Sequence, residues 1–110
     1  MFQMLSYFDL KPGVSAADYA HSVAVLAEHL AAQDLIIRIG PLGRRQRNTI
    51  LDTDDERLQS YFLMMYFRDK AQSDLAIDYI ESLAEPGASL HQQMYNKIDN
   101  AMFVCWEDVD

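Results

Sequence analysis

Few side chains in this sequence have obvious chemical potential: three histidines, one cysteine and an arginine-rich stretch in an otherwise acidic chain. His91 leads them. It sits within an arc of Leu90, Met94, Tyr95 and Ile98, in the first turn of a helix whose opening Ser89 and Gln92 mark in the manner of a capping box. A helix N-terminus and partial burial both disfavour the imidazolium. His91 is therefore expected to be neutral at pH 7 and able to act as a base or a hydrogen-bond donor, which makes it the candidate catalytic residue. A core histidine with both nitrogens satisfied fits the same pattern. His21 falls opposite the helical stripe Tyr19, Val23, Leu26, Leu30 and should face water, whereas His29 lies at the border of that stripe, where a helix–helix seam would pass.

The basic residues are unevenly placed. Arg44, Arg45 and Arg47 put three of nine positive charges into four residues, and Arg38 stands between isoleucines. An arginine inside an apolar strand must reach water, a carboxylate or a bound anion. One reading pairs Arg38 with the acids Asp52, Asp54, Asp55 and Glu56 across a hairpin. The other has Arg38 or Arg44 hold the head group of a carboxylate-bearing ligand, a task the guanidinium fork suits. Six methionines and twelve aromatics offer an adaptable apolar lining, for which Tyr7, Tyr66, Met94, Tyr95 and Trp106 are the candidates.

Several chemistries lack their signatures. No two histidines are four apart, no cysteine neighbours a histidine, and the acidic run 52–56 lacks the spacing and glycine of a calcium loop, so no metal is expected. There is no Gly-x-Ser-x-Gly, no phosphate-cradling glycine loop, and no cationic neighbour in sequence for Cys105; no cofactor is expected either. A formal net charge of −8 repels nucleic-acid backbones and anionic membranes. No run approaches a membrane span, and the N-terminal stretch has neither the basic start nor the cleavage site of a signal peptide, so a cytoplasmic location is expected.

The elements that must position these residues follow from local signals. Phe2 to Leu10 reads as a strand ended by Lys11-Pro12-Gly13. Ser15, three residues before Asp18, caps a helix ending near Gln33. Leu35 to Ile39 is a second strand, bent at Gly40-Pro41 and Gly43, and Tyr61 to Phe67 is a third. Asp69 with Gln72 opens a second helix whose apolar arc is Leu75, Ala76, Tyr79, Ile80 and Leu83, broken at Pro86-Gly87. After the short Ser89 helix, Asp99-Asn100 leads into the last strand, Ala101 to Trp106. With no linker or repeat, residues 1–110 read as one α+β domain.

Tyr61 to Phe67 and Ala101 to Trp106 are apolar on both faces, which means both faces are covered. Helices can cover only one face of a four-stranded sheet, so a second copy packed sheet to sheet is the expected partner. The βαββαβ order, the strand ending in Lys11-Pro12-Gly13, the helix from Ser15 and the apolar strand Met102-Phe103-Val104-Cys105-Trp106 together resemble the dimeric α/β-barrel superfamily. That group includes stress-responsive barrel proteins and antibiotic-biosynthesis monooxygenases. The resemblance implies a ferredoxin-like fold with a four-stranded antiparallel sheet, a homodimer, and a ligand pocket between sheet and helices. It carries over no catalytic set. Three functions stay open: binding an apolar carboxylate, fatty-acid-like or polyketide-like; a cofactor-independent monooxygenase; or a dimerisation module without ligand.

Overall fold

The computed structural model describes all of residues 1–110. Its elements run β1 (Phe2–Leu10), α1 (Ala16–Ala32), β2 (Arg38–Ile39), β3 (Gly43–Arg44), β4 (Tyr61–Phe67), α2 (Lys70–Glu81), α3 (Gly87–Tyr95) and β5 (Ile98–Glu107). Every strand pairing is antiparallel, in the order β2-β4-β1-β5, with β3 also on β4. This is the ferredoxin-like arrangement: first strand central, last strand at one edge, second strand at the other. The sheet is open and holds five strands rather than four. Gly40-Pro41 cuts the expected second strand into β2 and β3, two pieces on one edge, because proline has no N–H for the ladder.

The helix starts follow from side chains that satisfy free N–H groups. Ser15 Oγ accepts from Asp18 N at 3.0 Å, and Asp69 Oδ1 accepts from Gln72 N at 2.8 Å. α1 buries the stripe Tyr19, Val23, Leu26 and Leu30, each no more than 5 % exposed, against the sheet residues Phe8, Leu63 and Phe67. Each such side chain contributes roughly 1.5–3 kcal/mol on burial. Phe8 and Tyr19 meet ring to ring at 4.8 Å between centroids.

Three boundaries differ from the sequence expectation. Leu35 and Ile36 are not in β2: Leu35 N still bonds to Leu30 O at the end of α1, and Ile36 turns into the core. α3 begins at Gly87, so Ser89 is inside the helix, where its N–H and hydroxyl both donate to the Glu85 carboxylate. β5 begins at Ile98 and passes an irregularity opposite Tyr7–Asp9, beside Asn100 with φ +56°. The α2 arc is also rotated. Leu75 and Leu83 are exposed, while Gln72, Ser73 and Ala76 are buried. Gln72 earns its burial by donating to Asp34 O at 3.0 Å and accepting from Arg68 N at 2.7 Å. No helix is long and apolar enough to cross a membrane.

Candidate functional site

Strand register decides which side chains share a face. Met4 lies opposite Met65 and Cys105, and Ser6 opposite Leu63 and Phe103, all on the face under the helices. β5 is the edge strand and the helices do not reach over it, so Phe103 stays 48 % exposed. A cleft of about 510 Å³ results. Its floor is Phe2, Met4 and Ser6 of β1, Met65 and Phe67 of β4, and Phe103 and Cys105 of β5; its roof comes from Ala76, Ile77 and Ile80 of α2 and His91, Met94 and Tyr95 of α3.

The polar groups in this cleft are of one kind, neutral, apart from two acids at the rim. The His91 ring stacks on Tyr95 one turn later, at 5.7 Å and 16° between planes, and burial lowers its pKa. Burial raises the Tyr19 phenol to about 12, and its only hydrogen bond goes to the Met94 thioether at 3.4 Å, a weak acceptor. Cys105 is an exposed free cysteine at the β5 side of the cleft, and partial desolvation raises its pKa, which keeps it a thiol. Asp74 and Glu81 line the cleft, Asp74 paired with Lys70 Nζ at 2.8 Å, and no arginine or lysine is among the lining residues. The roof is fixed at its back by His29 Nε2 and Tyr79 Oη, 2.7 Å apart, which join α1 to α2 along the seam where His29 was expected.

The candidate residues are split between the two faces of the sheet. His91, Met94 and Tyr95 come together in the cleft. Arg38, Tyr66 and Trp106 do not. Arg38 lies opposite Tyr66, and Gln3 between Tyr66 and Trp106, in a row across the helix-free face. The Arg38 guanidinium packs on the Tyr66 ring, 3.8 Å from its centroid. Arg38 is therefore neither an anchor in the cleft nor the partner of the 52–56 acids. Two of those acids are held instead by other arginines, Asp52 by Arg45, forked onto it at 2.7 Å, and Asp54 by Arg57 at 2.8 Å. Arg44 is exposed on the β3 edge near the Tyr61 ring, also outside the cleft. Tyr7 sits on the helix-free face beside Phe62, under the 45–59 loop. No group of three or more His, Cys, Asp or Glu side chains is placed to hold a metal.

Sequence reasoning missed Tyr19, Ser6, Phe103 and Ile77 as cleft residues. Tyr19 read only as part of a buried stripe. Ile77 had a usable signal: an aliphatic residue on α2 outside the apolar arc needs a second apolar surface to face.

Residues 1–109 match a family of unknown function, DUF6614, and the chain belongs to that family. No curated protein matches it in sequence. Among solved structures, an Arabidopsis thaliana protein superposes with a TM-score of 0.71 at 11% identity, over 100% of this chain and 97% of that one. A dimeric ferredoxin-like protein of unknown function from Jannaschia gives 0.64 at 16% identity, over 97% and 98%. An antibiotic biosynthesis monooxygenase gives 0.58 at 14%, over the full length of both. At these identities the likeness is one of fold.

Proposed function

Taking that family and that fold as the premise, we propose that this chain is the subunit of a homodimer that binds an apolar small molecule in the cleft between sheet and helices. The supporting observation for binding is the cleft itself: about 510 Å³, the size of small-molecule sites, lined mainly by apolar side chains with a few convergent polar groups. It counts against the reading of a dimerisation module without ligand, which needs that space filled. The lining favours an uncharged ligand over the carboxylate suggested by the arginines. Asp74 is already paired with Lys70, Glu81 adds a negative charge, and no arginine or lysine lines the cleft to hold an anion.

The supporting observation for the dimer is the helix-free face. Leu5, Met64, Tyr66, Met102, Val104 and Trp106 stand on it, with Met102 and Val104 each 45% exposed in the single chain, while Tyr7 at its margin is already buried under the 45–59 loop. The Jannaschia neighbour is itself dimeric. A turnover reading is favoured by His91: a half-buried, neutral imidazole inside the cleft is suited to take a proton from a bound substrate, as a cofactor-independent monooxygenase would require.

Native mass spectrometry of the purified protein, followed by organic extraction, tests both parts. The expected result is a dimer carrying an extractable apolar compound. A monomer at micromolar concentration refutes the dimer. A cleft that takes up no apolar probe, such as 2-octanone followed by NMR shifts at Met94 and Phe103, refutes the binding reading.

A further inference from the structure

The segment between β3 and β4 is more ordered than its polar sequence suggests. Arg45 Nε and Nη2 grip both oxygens of Asp52 at 2.7 Å, Nη2 also donates to Asp54 O at 2.6 Å, and Nη1 donates to Arg57 O. One guanidinium, on a side chain only 6% exposed, thus ties three points of the segment together. Arg47 donates to Leu58 O on the return limb, and Arg57 pairs with Asp54. At the base, Arg45 N bonds to Ser60 O at 2.8 Å, Ser60 N to Asp9 Oδ1 at 3.0 Å, and Gln59 Nε2 to Asn100 O at 2.8 Å.

The tip of this braced segment is apolar and unprotected. Ile50 is 94% and Leu51 87% exposed, and Leu58 on the return limb is 68% exposed. Scattered exposed aliphatics need no explanation, but adjacent ones on a segment held in one shape form a surface. The molecule is correspondingly flat and spread, 42 × 41 × 19 Å, with a Cα radius of gyration of 14.4 Å. A compact chain of this length would have about 13 Å.

We propose that residues 45–59 form a preorganised arm whose Ile50–Leu51 tip seats on a second copy of this chain. The proposal rests on the homodimer reading and extends it to a surface beyond the sheet. Its occupant follows from position. Leu51, Thr49 and Asp52 share a hollow with Tyr7 and Phe62 of the helix-free face, so the arm stands at the margin of that face and a partner laid there meets it. An anionic lipid surface is disfavoured by the net charge of −8, and within the arm Arg45 and Arg57 are taken up by Asp52 and Asp54, which leaves Arg47 against Asp55 and Glu56. The bracing by Arg45 means that little ordering remains to be done on contact, which is the condition for a small apolar tip to matter.

The test is a dilution series by sedimentation velocity on the wild-type chain, the double variant Ile50→Asp/Leu51→Asp, the brace variant Arg45→Gln and the sheet-face variant Val104→Asp. Circular dichroism verifies the fold of each. The dimer holds two arms, so the double variant replaces four aliphatic contacts by charges and should weaken association at least about 100-fold. Arg45→Gln, which keeps the tip but frees the arm, should weaken it by a smaller factor, about three- to tenfold. If Val104→Asp dissociates the dimer while Ile50→Asp/Leu51→Asp associates as tightly as wild type, the arm proposal is overturned and the sheet contact stands. A wild-type chain that is monomeric throughout overturns both.

Discussion

Gly87 opens α3 against the ring of Tyr79, and the contact leaves no room for a β-carbon. One built there would lie 2.7 Å from Tyr79 Cζ and 2.8 Å from Oη, and closer still to Cε2. Alanine at this position must therefore push the ring aside. The ring is not free to go, because Oη is bonded to His29 Nε2 at 2.7 Å and the two rings lean together at 5.8 Å. Overpacking of this kind costs about 1–3 kcal/mol, and loss of the hydrogen bond adds about 0.5–1.5 kcal/mol if the ring swings away. Against this stands the better helix propensity of alanine, about 1 kcal/mol at most. Gly87→Ala should thus destabilise the protein by a net ~1–3 kcal/mol, read by urea denaturation at one fixed protein concentration, since association contributes to stability. In a Tyr79→Ala background the obstacle is gone, and Gly87→Ala should be neutral or stabilising. An equal cost in both backgrounds, or a Gly87→Ala protein as stable as wild type, would refute the reasoning.

Three further outcomes follow from side-chain environments. Because Tyr19 ionises only at about 12 in the folded chain, ultraviolet titration should show one tyrosine resisting deprotonation, and the stability of the native state should fall as pH rises from about 10 toward 12; Tyr19→Phe should remove that loss. The His91 pKa is lowered by burial, so as pH falls below the ordinary 6.5 the unfolded chain takes up a proton that the folded chain resists; stability should decline there, and less so in His91→Leu. NMR titration placing the His91 transition above 6.5 would reverse that assignment. Removing the α2 cap with Asp69→Ala frees Gln72 N and should cost about 0.5–2 kcal/mol in the same denaturation assay, with no change in the association constant.

Local signals were the legible ones. Ser15 and Asp69 announce their helices because a cap is a contact within three residues, and Tyr19, Val23, Leu26 and Leu30 are all buried because a stripe is a property of one helix. The two-sided apolar strands likewise pointed to a face that helices do not cover. What could not be read was pairing across distance. Arg38 stacks on Tyr66 because β2 meets β4 in that register, and Arg45 rather than Arg38 takes Asp52 because the chain turns at Gly40-Pro41 first. Ser89 misled because Glu85, outside the capping pattern, supplies the acceptor. The cleft was half visible. His91, Met94 and Tyr95 share a helical arc, but their joining with Phe103 and Ser6 depends on strand register.

The two edges of the sheet are unequal. At one, β2 and β3 are two residues each and interrupted by Pro41, so few free backbone groups remain there to template another strand. At the other, β5 offers ten residues with β1 as its only neighbour, and Met102 to Trp106 form an uninterrupted apolar run along it. Such an edge invites non-native addition of strands, ending in amyloid-like stacks. The chain's safeguards are acidic residues at either end of the run, Asp99 on one side and Glu107 and Asp108 on the other, which act as gatekeepers. Substituting them by amides should promote fibre formation at neutral pH, and acid, which protonates the carboxylates, should have the same effect on the unsubstituted chain.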